Sequence, residues 1–279
     1  MKRIFTIIGF TSFIQFSCTQ KTVQYKFVKN VNYNSQKLTE IKNVHIDLFD
    51  TANYSNNTTA INYRILNPLY ATKKSNKSYP LIIVLHGSGE IGTDNKAQMG
   101  ILAKMWATPL FRLKYSAFIL VPQFPRRSSN YVKDSVYNLP TSQAQPALQS
   151  LFGLIDSLKY NPKIDTKRIY LVGFSMGAST AMNALAQRKD LFAAAIAFSG
   201  IPDFSNNVVN KPLWIIHGNA DDVNTFSSDS LFYKRMIGNN AKQIKFWEIN
   251  KLKHEVPLSF ITNEEIPKWL FKQKNNFIP

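Results

Sequence analysis

The chain is poor in several things, and each shortage narrows its reading. It has one cysteine, Cys18, in 279 residues, which rules out an intramolecular disulfide framework. It has four histidines, so any acid–base chemistry must draw on His45, His86, His217 or His254. Acidic side chains are half as common as basic ones, 17 against 34, giving a formal charge of +17. Such a balance would suit an anionic partner, but the lysines are scattered and no basic helix or RNA-binding signature collects them. A solvated lysine-rich surface is expected, and no nucleic-acid partner. No internal repeat and no domain-sized linker interrupt the chain. Hydrophobic content of 44% and aromatic content of 13% are enough for a substantial core.

The amino terminus begins with basic Lys2-Arg3, followed by the apolar run Ile4–Ile14 and then Gln15-Phe16-Ser17-Cys18. That run is well short of the ~20 residues needed to span a bilayer, but it suits a signal peptide. With the cysteine just beyond it, the segment resembles a bacterial lipoprotein signal, and the resemblance implies lipidation at Cys18. The alternative is simple secretion. Residues 1–17 are therefore expected to be a signal peptide, 18–37 a polar tether, and 38–279 the folded domain. The lipid anchor would tether that domain to a membrane in the cell envelope or periplasm.

The remaining chain alternates strand and helix signals, which predicts an α/β fold with a mostly parallel central sheet flanked by helices. Residues 41–49 and 61–66 alternate polar and apolar, and predict an antiparallel pair at the N-terminal edge with a turn over 53–59. Leu81-Ile82-Ile83-Val84-Leu85 is apolar without alternation, as a strand covered on both faces must be. Asp94 is expected to cap a helix reaching Trp106. After a strand at 117–121, residues 122–140 read as a long irregular crossing, and 143–158 as a helix. Strands follow at 169–172, 193–200, 212–218 and 244–249, and an amphipathic helix is expected over 261–272.

The organising stretch is Gly173-Phe174-Ser175-Met176-Gly177, between an apolar strand and a run of small helix-compatible residues. A strand that becomes a helix within about four residues strains its middle residue and presents the Ser175 hydroxyl at the tip. The Met176 amide then lies at the positive end of a helix, as an oxyanion donor should. A serine nucleophile needs a base. His86 and His217 each precede a glycine at a strand end and read as packing; His45 reads as part of an edge strand. His254 lies in the polar loop after the last strand, where it can swing above the sheet edge. The acid is expected between Ser175 and His254, and His217-Gly218-Asn219-Ala220-Asp221-Asp222 offers Asp221 and Asp222. Asp203 and Asp229 read as a loop cap and a helix-face charge. The second oxyanion donor is expected in the loop after residue 85, from Ser88 or Gly89.

In this order Ser175, Asp221 and His254, with His86-Gly87-Ser88-Gly89-Glu90 ahead of them, resemble the α/β-hydrolase superfamily. The chain is similar within it to the dienelactone hydrolase and feruloyl-esterase-like enzymes and to prolyl-oligopeptidase-like single-domain esterases. The match is carried by Tyr79–Glu90, Ile164–Gly177, His217–Val223 and Lys268–Phe271. The resemblance implies the α/β-hydrolase fold with a minimal cap, Asp221 as the acid and Ser88 as the second oxyanion donor. It implies a serine esterase that needs no metal or organic cofactor, acting on a small-molecule or polysaccharide ester such as an acetyl or feruloyl ester. Peptidase action of the prolyl-oligopeptidase type, or an inactive hydrolase-like binding lipoprotein, are the alternatives. The aromatics Phe124, Tyr131, Phe204 and Phe226 are candidates for the rim of a shallow pocket.

Overall fold

Consecutive aliphatic side chains cannot leave either face of a strand in water, so such strands end up in the middle of a covered sheet. In the computed structural model, which describes residues 24–56, 60–69 and 76–276, that holds at the long apolar runs among those residues. Cys18 and the expected signal peptide lie outside the described residues. In chain order the strands of the main sheet are β1 (Gln24–Val28), β2 (Asp50–Ser55), β3 (Ala60–Leu66), β4 (Tyr79–Leu85) and β5 (Phe118–Gln123). A small hairpin, β6 (Ser129–Lys133) and β7 (Pro140–Ala144), comes next. The sheet resumes with β8 (Ile164–Phe174), β9 (Ala194–Phe198), β10 (Leu213–Gly218) and β11 (Ile244–Ile249). The α-helices are α1 (Ser35–Lys42), α2 (Ile101–Lys104), α3 (Pro109–Lys114), α4 (Ala147–Leu158), α5 (Met176–Gln187), α6 (Phe226–Gly238), α7 (Leu258–Thr262) and α8 (Glu265–Leu270).

The nine-stranded sheet has the order β1-β11-β10-β9-β8-β4-β5-β3-β2. Neighbours run parallel from β1 to β5, while β3 and β2 are antiparallel, as expected for that edge. Every residue of β4, β5, β9 and β10 is buried. Two apolar layers cover the sheet. One joins Leu81, Leu171, Ile215 and Phe246 to helices α4 and α5, the other joins Ile82, Val172, Trp214 and Trp247 to Trp106 and Phe260. At about 1.5–3 kcal/mol for each fully buried large apolar side chain, these layers supply the main drive to fold. The carboxyl ends of β4, β8, β10 and β11 converge on one edge, where the predicted site residues lie.

Several local expectations give way. Within the expected tether, residues 24–28 form β1, paired in parallel register with β11 from Gln24↔Lys245 to Val28↔Ile249. This is an edge strand exposed on both faces along most of its length, and the alternation of Tyr25 and Phe27 with Gln24 and Lys26 is its strand signal inside an otherwise polar stretch. Its side chains still dock, with Tyr25 against the Phe246 ring and the Lys26 ammonium 3.9 Å from the Trp247 ring centre. The strand expected at 41–49 is instead the end of α1, whose Leu38 and Ile41 share its buried face, followed by a 3-10 turn at Ile46–Leu48. The true partner of β3 is β2, hidden in the sequence by asparagines: Asn53 Nδ2 donates to Asn62 Oδ1 across the pair at 2.7 Å.

Asp94 caps a turn, accepting from the amides of Lys96 and Ala97, and the helix waits until Ile101 because the extended Gly100 starts it afresh. The crossing at 122–140 is not irregular throughout. It holds β6, whose partner β7 occupies the first turn of the helix expected at 143, and α4 begins only after Pro146. The expected closing helix breaks at the extended Asn263 into α7 and α8.

Candidate active site

The turn between β8 and α5 has no room for side chains on its flanks. A Cβ on Gly173 would strike the Gly177 carbonyl, and one on Gly177 would strike the carbonyl of Leu85 on the adjacent strand. With both atoms absent, the chain reverses in one residue, and Ser175 takes the strain at φ 54°, ψ −120°. The Ser175 amide donates to the Phe198 carbonyl at 2.9 Å, which pins the strained residue to β9. Met176 opens α5, so its amide has no acceptor within the helix.

His254 lies in the loop after β11, with its ring 5.0 Å from that of Phe174. Its Nε2 is 2.9 Å from Ser175 Oγ and its Nδ1 2.8 Å from Asp221 Oδ2. The three residues thus form one unbroken hydrogen-bonded chain. Asp221 Oδ1 accepts the amides of Val223 and Asn224 at 2.9 and 2.8 Å. Burial would raise this carboxyl, but bonds from His217, His254 and those two amides outweigh it and hold the group well below the usual carboxylate range. The group is therefore an anion that can orient an imidazole and stabilise it when protonated. Asp222 points elsewhere, exposed and 3.8 Å from Lys253 Nζ.

The loop after β4 packs against the serine: a Cβ at Gly87 would lie 3.6 Å from Ser175 Cβ and 3.1 Å from Glu90 Oε2. Ser88 follows as the first residue of a 3-10 turn. Gly89 has open space around it, so close approach is required at Gly87 and not at Gly89. Beside this loop is a mostly apolar cleft of about 290 Å³, with Ile101, Leu102, Ala103, Phe174, Val256 and Leu258 in its walls and His254, Gly87 and Glu90 at its margin. Among the rim candidates, Phe124 is buried against His86, Phe226 stacks on Phe246, and Phe204 meets the edge of Tyr137. Tyr131 turns its hydroxyl toward Ser179 Oγ at 3.3 Å.

His86 is structural, as expected: it is buried, donates from Nδ1 to the Gly87 carbonyl and accepts the Phe124 amide at Nε2, and burial lowers its proton affinity. Asp203 caps its loop through Ser205. His45 is exposed before the 3-10 turn, not in a strand. The correction is at Asp229. It is no surface charge on a helix face but fully buried on α6, its Oδ2 2.7 Å from His217 Nδ1. The opposite ring nitrogen of His217 lies 3.1 Å from Asp221 Oδ2, so a second imidazole stands behind the acid. The spacing of twelve residues, from a strand end to the first turn of the next helix, was the available signal. Among the described residues, no group of three or more His, Cys, Asp and Glu could hold a metal ion, and no helix is long and apolar enough to cross a membrane.

Comparison with known proteins agrees with the architecture. The dienelactone hydrolase family profile matches residues 69–249. An 83-residue stretch is 37% identical to the bifunctional acetylxylan esterase/xylanase XynS20E of Neocallimastix patriciarum, covering 29% of this chain and 12% of that protein. A solved thermostable esterase superposes with a TM-score of 0.71 at 28% identity, over 82% of this chain and 64% of that one. The CE1 ferulic acid esterase AmCE1/Fae1A of the anaerobic fungus Anaeromyces mucronatus superposes with a TM-score of 0.51 at 17% identity, over 77% and 89% of the two chains, a likeness of fold alone. This chain thus spans less than two thirds of the first two relatives. The shared architecture is the α/β-hydrolase fold.

Proposed function

The chain belongs to the dienelactone hydrolase family, and on that premise we propose that it is a serine hydrolase of carboxylic esters. The observation that carries the reading is the hydrogen-bonded chain from Ser175 Oγ through His254 to Asp221 at the head of α5. In the proposed reaction His254 Nε2 takes the Ser175 proton as Oγ attacks the acyl carbon. The imidazolium so formed is held by the Asp221 carboxylate. The amides of Met176 and Ser88 receive the developing oxyanion, a contribution of about 2.7–4 kcal/mol for one such donor where it has been removed. His254 then protonates the departing alcohol. Water enters by the same route, loses its proton to His254 and releases the acid, restoring Ser175. Every proton is accounted for by these side chains.

For the substrate, we propose an acetyl or feruloyl ester of a polysaccharide. The names of the similar proteins support this class, and so does the cleft. At about 290 Å³ it lies at the small end of ligand pockets, and its apolar walls suit a short acyl chain or one aromatic ring rather than a peptide. Export with a lipid anchor at Cys18 would place this activity at the cell envelope, beside such polymers; loss of fatty-acid labelling in Cys18→Ala tests the anchor. The enzymatic reading is tested with short-chain p-nitrophenyl esters and the chain from residue 19 onward. Wild type should turn over and be labelled by a fluorophosphonate, and Ser175→Ala and His254→Ala should each lose both. A wild-type protein with neither turnover nor label would refute it.

A further inference from the structure

Behind the acid of the proposed triad lies a second, wholly buried pair. His217 closes β10 and Asp229 sits in the first turn of α6; neither has side-chain surface in contact with water. The hydrogen bonds fix where the protons are. His217 Nε2 faces Asp221 Oδ2 at 3.1 Å and the Asn224 carbonyl at 3.1 Å. Both are acceptors, because Asp221 is an anion and a carbonyl has no proton to give, so Nε2 carries a hydrogen. On the other side, Nδ1 and Asp229 Oδ2 are 2.7 Å apart and share one further proton. Asp229 Oδ1 is buried with no partner. An isolated charge there would be costly, and burial raises this carboxyl. Burial opposes charge on His217 too, but its bonds to Asp221 and Asp229 prevail and push it up to about 9. The pair therefore keeps its shared proton at neutral pH and is neutral as a unit, leaving Asp221 with the only net charge of the group.

Asp221 Oδ2 is the atom that matters. It accepts His254 Nδ1 at 2.8 Å and His217 Nε2 at 3.1 Å. A carboxylate oxygen gripped from two sides cannot rotate away when His254 swings toward a substrate. The other groups facing this cluster are few. The Phe226 ring stands edge-on to His217 with centroids 5.8 Å apart, and the Tyr131 hydroxyl approaches from β6 within electrostatic range of Asp229.

We propose that His217, braced by Asp229, is a positioning residue for the reaction: it locks the acid Asp221 through Nε2–H and so holds the base His254 in line with Ser175. The proposal rests on the triad reading above. A merely structural tie between β10 and α6 would be indifferent to which donor reaches Asp221.

The test uses His217→Leu, His217→Gln and Asp229→Asn in the full chain. For each, kcat and KM for p-nitrophenyl acetate are measured from pH 5 to 9, beside near-UV circular dichroism and the melting temperature. His217→Leu should lose about 10–100-fold in kcat with KM nearly unchanged, as for a misplaced catalytic group. His217→Gln, which puts an amide N–H near the position of Nε2, should recover most of the rate. In Asp229→Asn the amide NH2 can donate to Nδ1 and leave Nε2–H on Asp221, so kcat should fall far less than in His217→Leu, with KM nearly unchanged. A folded His217→Leu with wild-type rates overturns the inference, as does a folded His217→Gln that loses about 100-fold or more in kcat. Both results leave the triad reading standing if Ser175→Ala is inactive. A wild type with no turnover and no fluorophosphonate label overturns both.

Discussion

Replacing Asp221 by asparagine should abolish the proposed hydrolysis while leaving the shape of the protein almost unchanged, because of how this carboxylate is bonded. All four contacts to this carboxylate come from donors: the amides of Val223 and Asn224 on Oδ1, His254 Nδ1 and His217 Nε2 on Oδ2. Asparagine offers one oxygen and one NH2 group, so the NH2 must meet two of those donors. Backbone amides cannot give up their hydrogens, whereas imidazoles can change tautomer. The NH2 therefore turns to the histidines, and His254 moves its proton from Nδ1 to Nε2. That nitrogen lies 2.9 Å from Ser175 Oγ and, once protonated, can no longer accept the serine proton. In a triad the wrong tautomer costs about 10⁴-fold in kcat. At about 1.36 kcal/mol per factor of ten, this is roughly 5.5 kcal/mol of transition-state stabilisation. The assay is kcat for p-nitrophenyl acetate near neutral pH, with Asp222→Asn as the control. Asp222 is exposed beside Lys253, and its variant should stay within twofold of wild type. Asp221→Asn within tenfold of wild type, or a collapse in Asp222→Asn instead, would refute the reasoning.

Three further outcomes follow from the fold. Gly177→Ala drives a Cβ into the Leu85 carbonyl and should lower stability by about 3 kcal/mol or more, whereas Gly89→Ala meets nothing within 4 Å and should leave the melting temperature nearly unchanged. A chain starting at residue 34 lacks β1 and exposes the β11 edge, so it should melt earlier and aggregate more readily by light scattering than one starting at residue 23. His217 binds its proton more tightly folded, at about 9, than unfolded, at about 6.5. Its contribution to stability is complete below the lower value and lost as pH climbs through the upper one. The melting-temperature advantage of wild type over His217→Gln should accordingly shrink between about pH 6.5 and 9, read by calorimetry at matched ionic strength. A gap that widens over that window would show that the pair holds no extra proton.

What could be read from the sequence was whatever depends on short-range chemistry. The turn at Ser175 was legible because two glycines bracket one serine between an apolar strand and small helical residues. The strands β4, β9 and β10 were legible because burial on both faces leaves an unbroken apolar run. The edges were not. β1 shows only a five-residue alternation inside a polar stretch and pairs on one side, and β2, Asp50–Ser55, is mostly polar and exposed. The four-residue α2 depends on the loop that precedes it and not on any periodicity of its own.

The same distinction explains the site. Ser175, Asp221 and His254 were reachable because each closes or follows a strand whose carboxyl end faces the same edge, so topology alone brings them together. Asp229 was missed for the opposite reason. A carboxylate in the first turn of a helix, in the sequence Phe226-Ser227-Ser228-Asp229, is what a solvated helix start looks like, and nothing local marks it for burial. Only the packing of α6 over β10 turns it inward, and only His217 makes that burial tolerable. The acid at the centre of the site is therefore held from two directions of different origin: by a loop histidine placed by topology, and by a strand histidine placed by tertiary packing. Removing the second should misplace the first without touching it, and that coupling is what kcat and KM of the His217 variants measure.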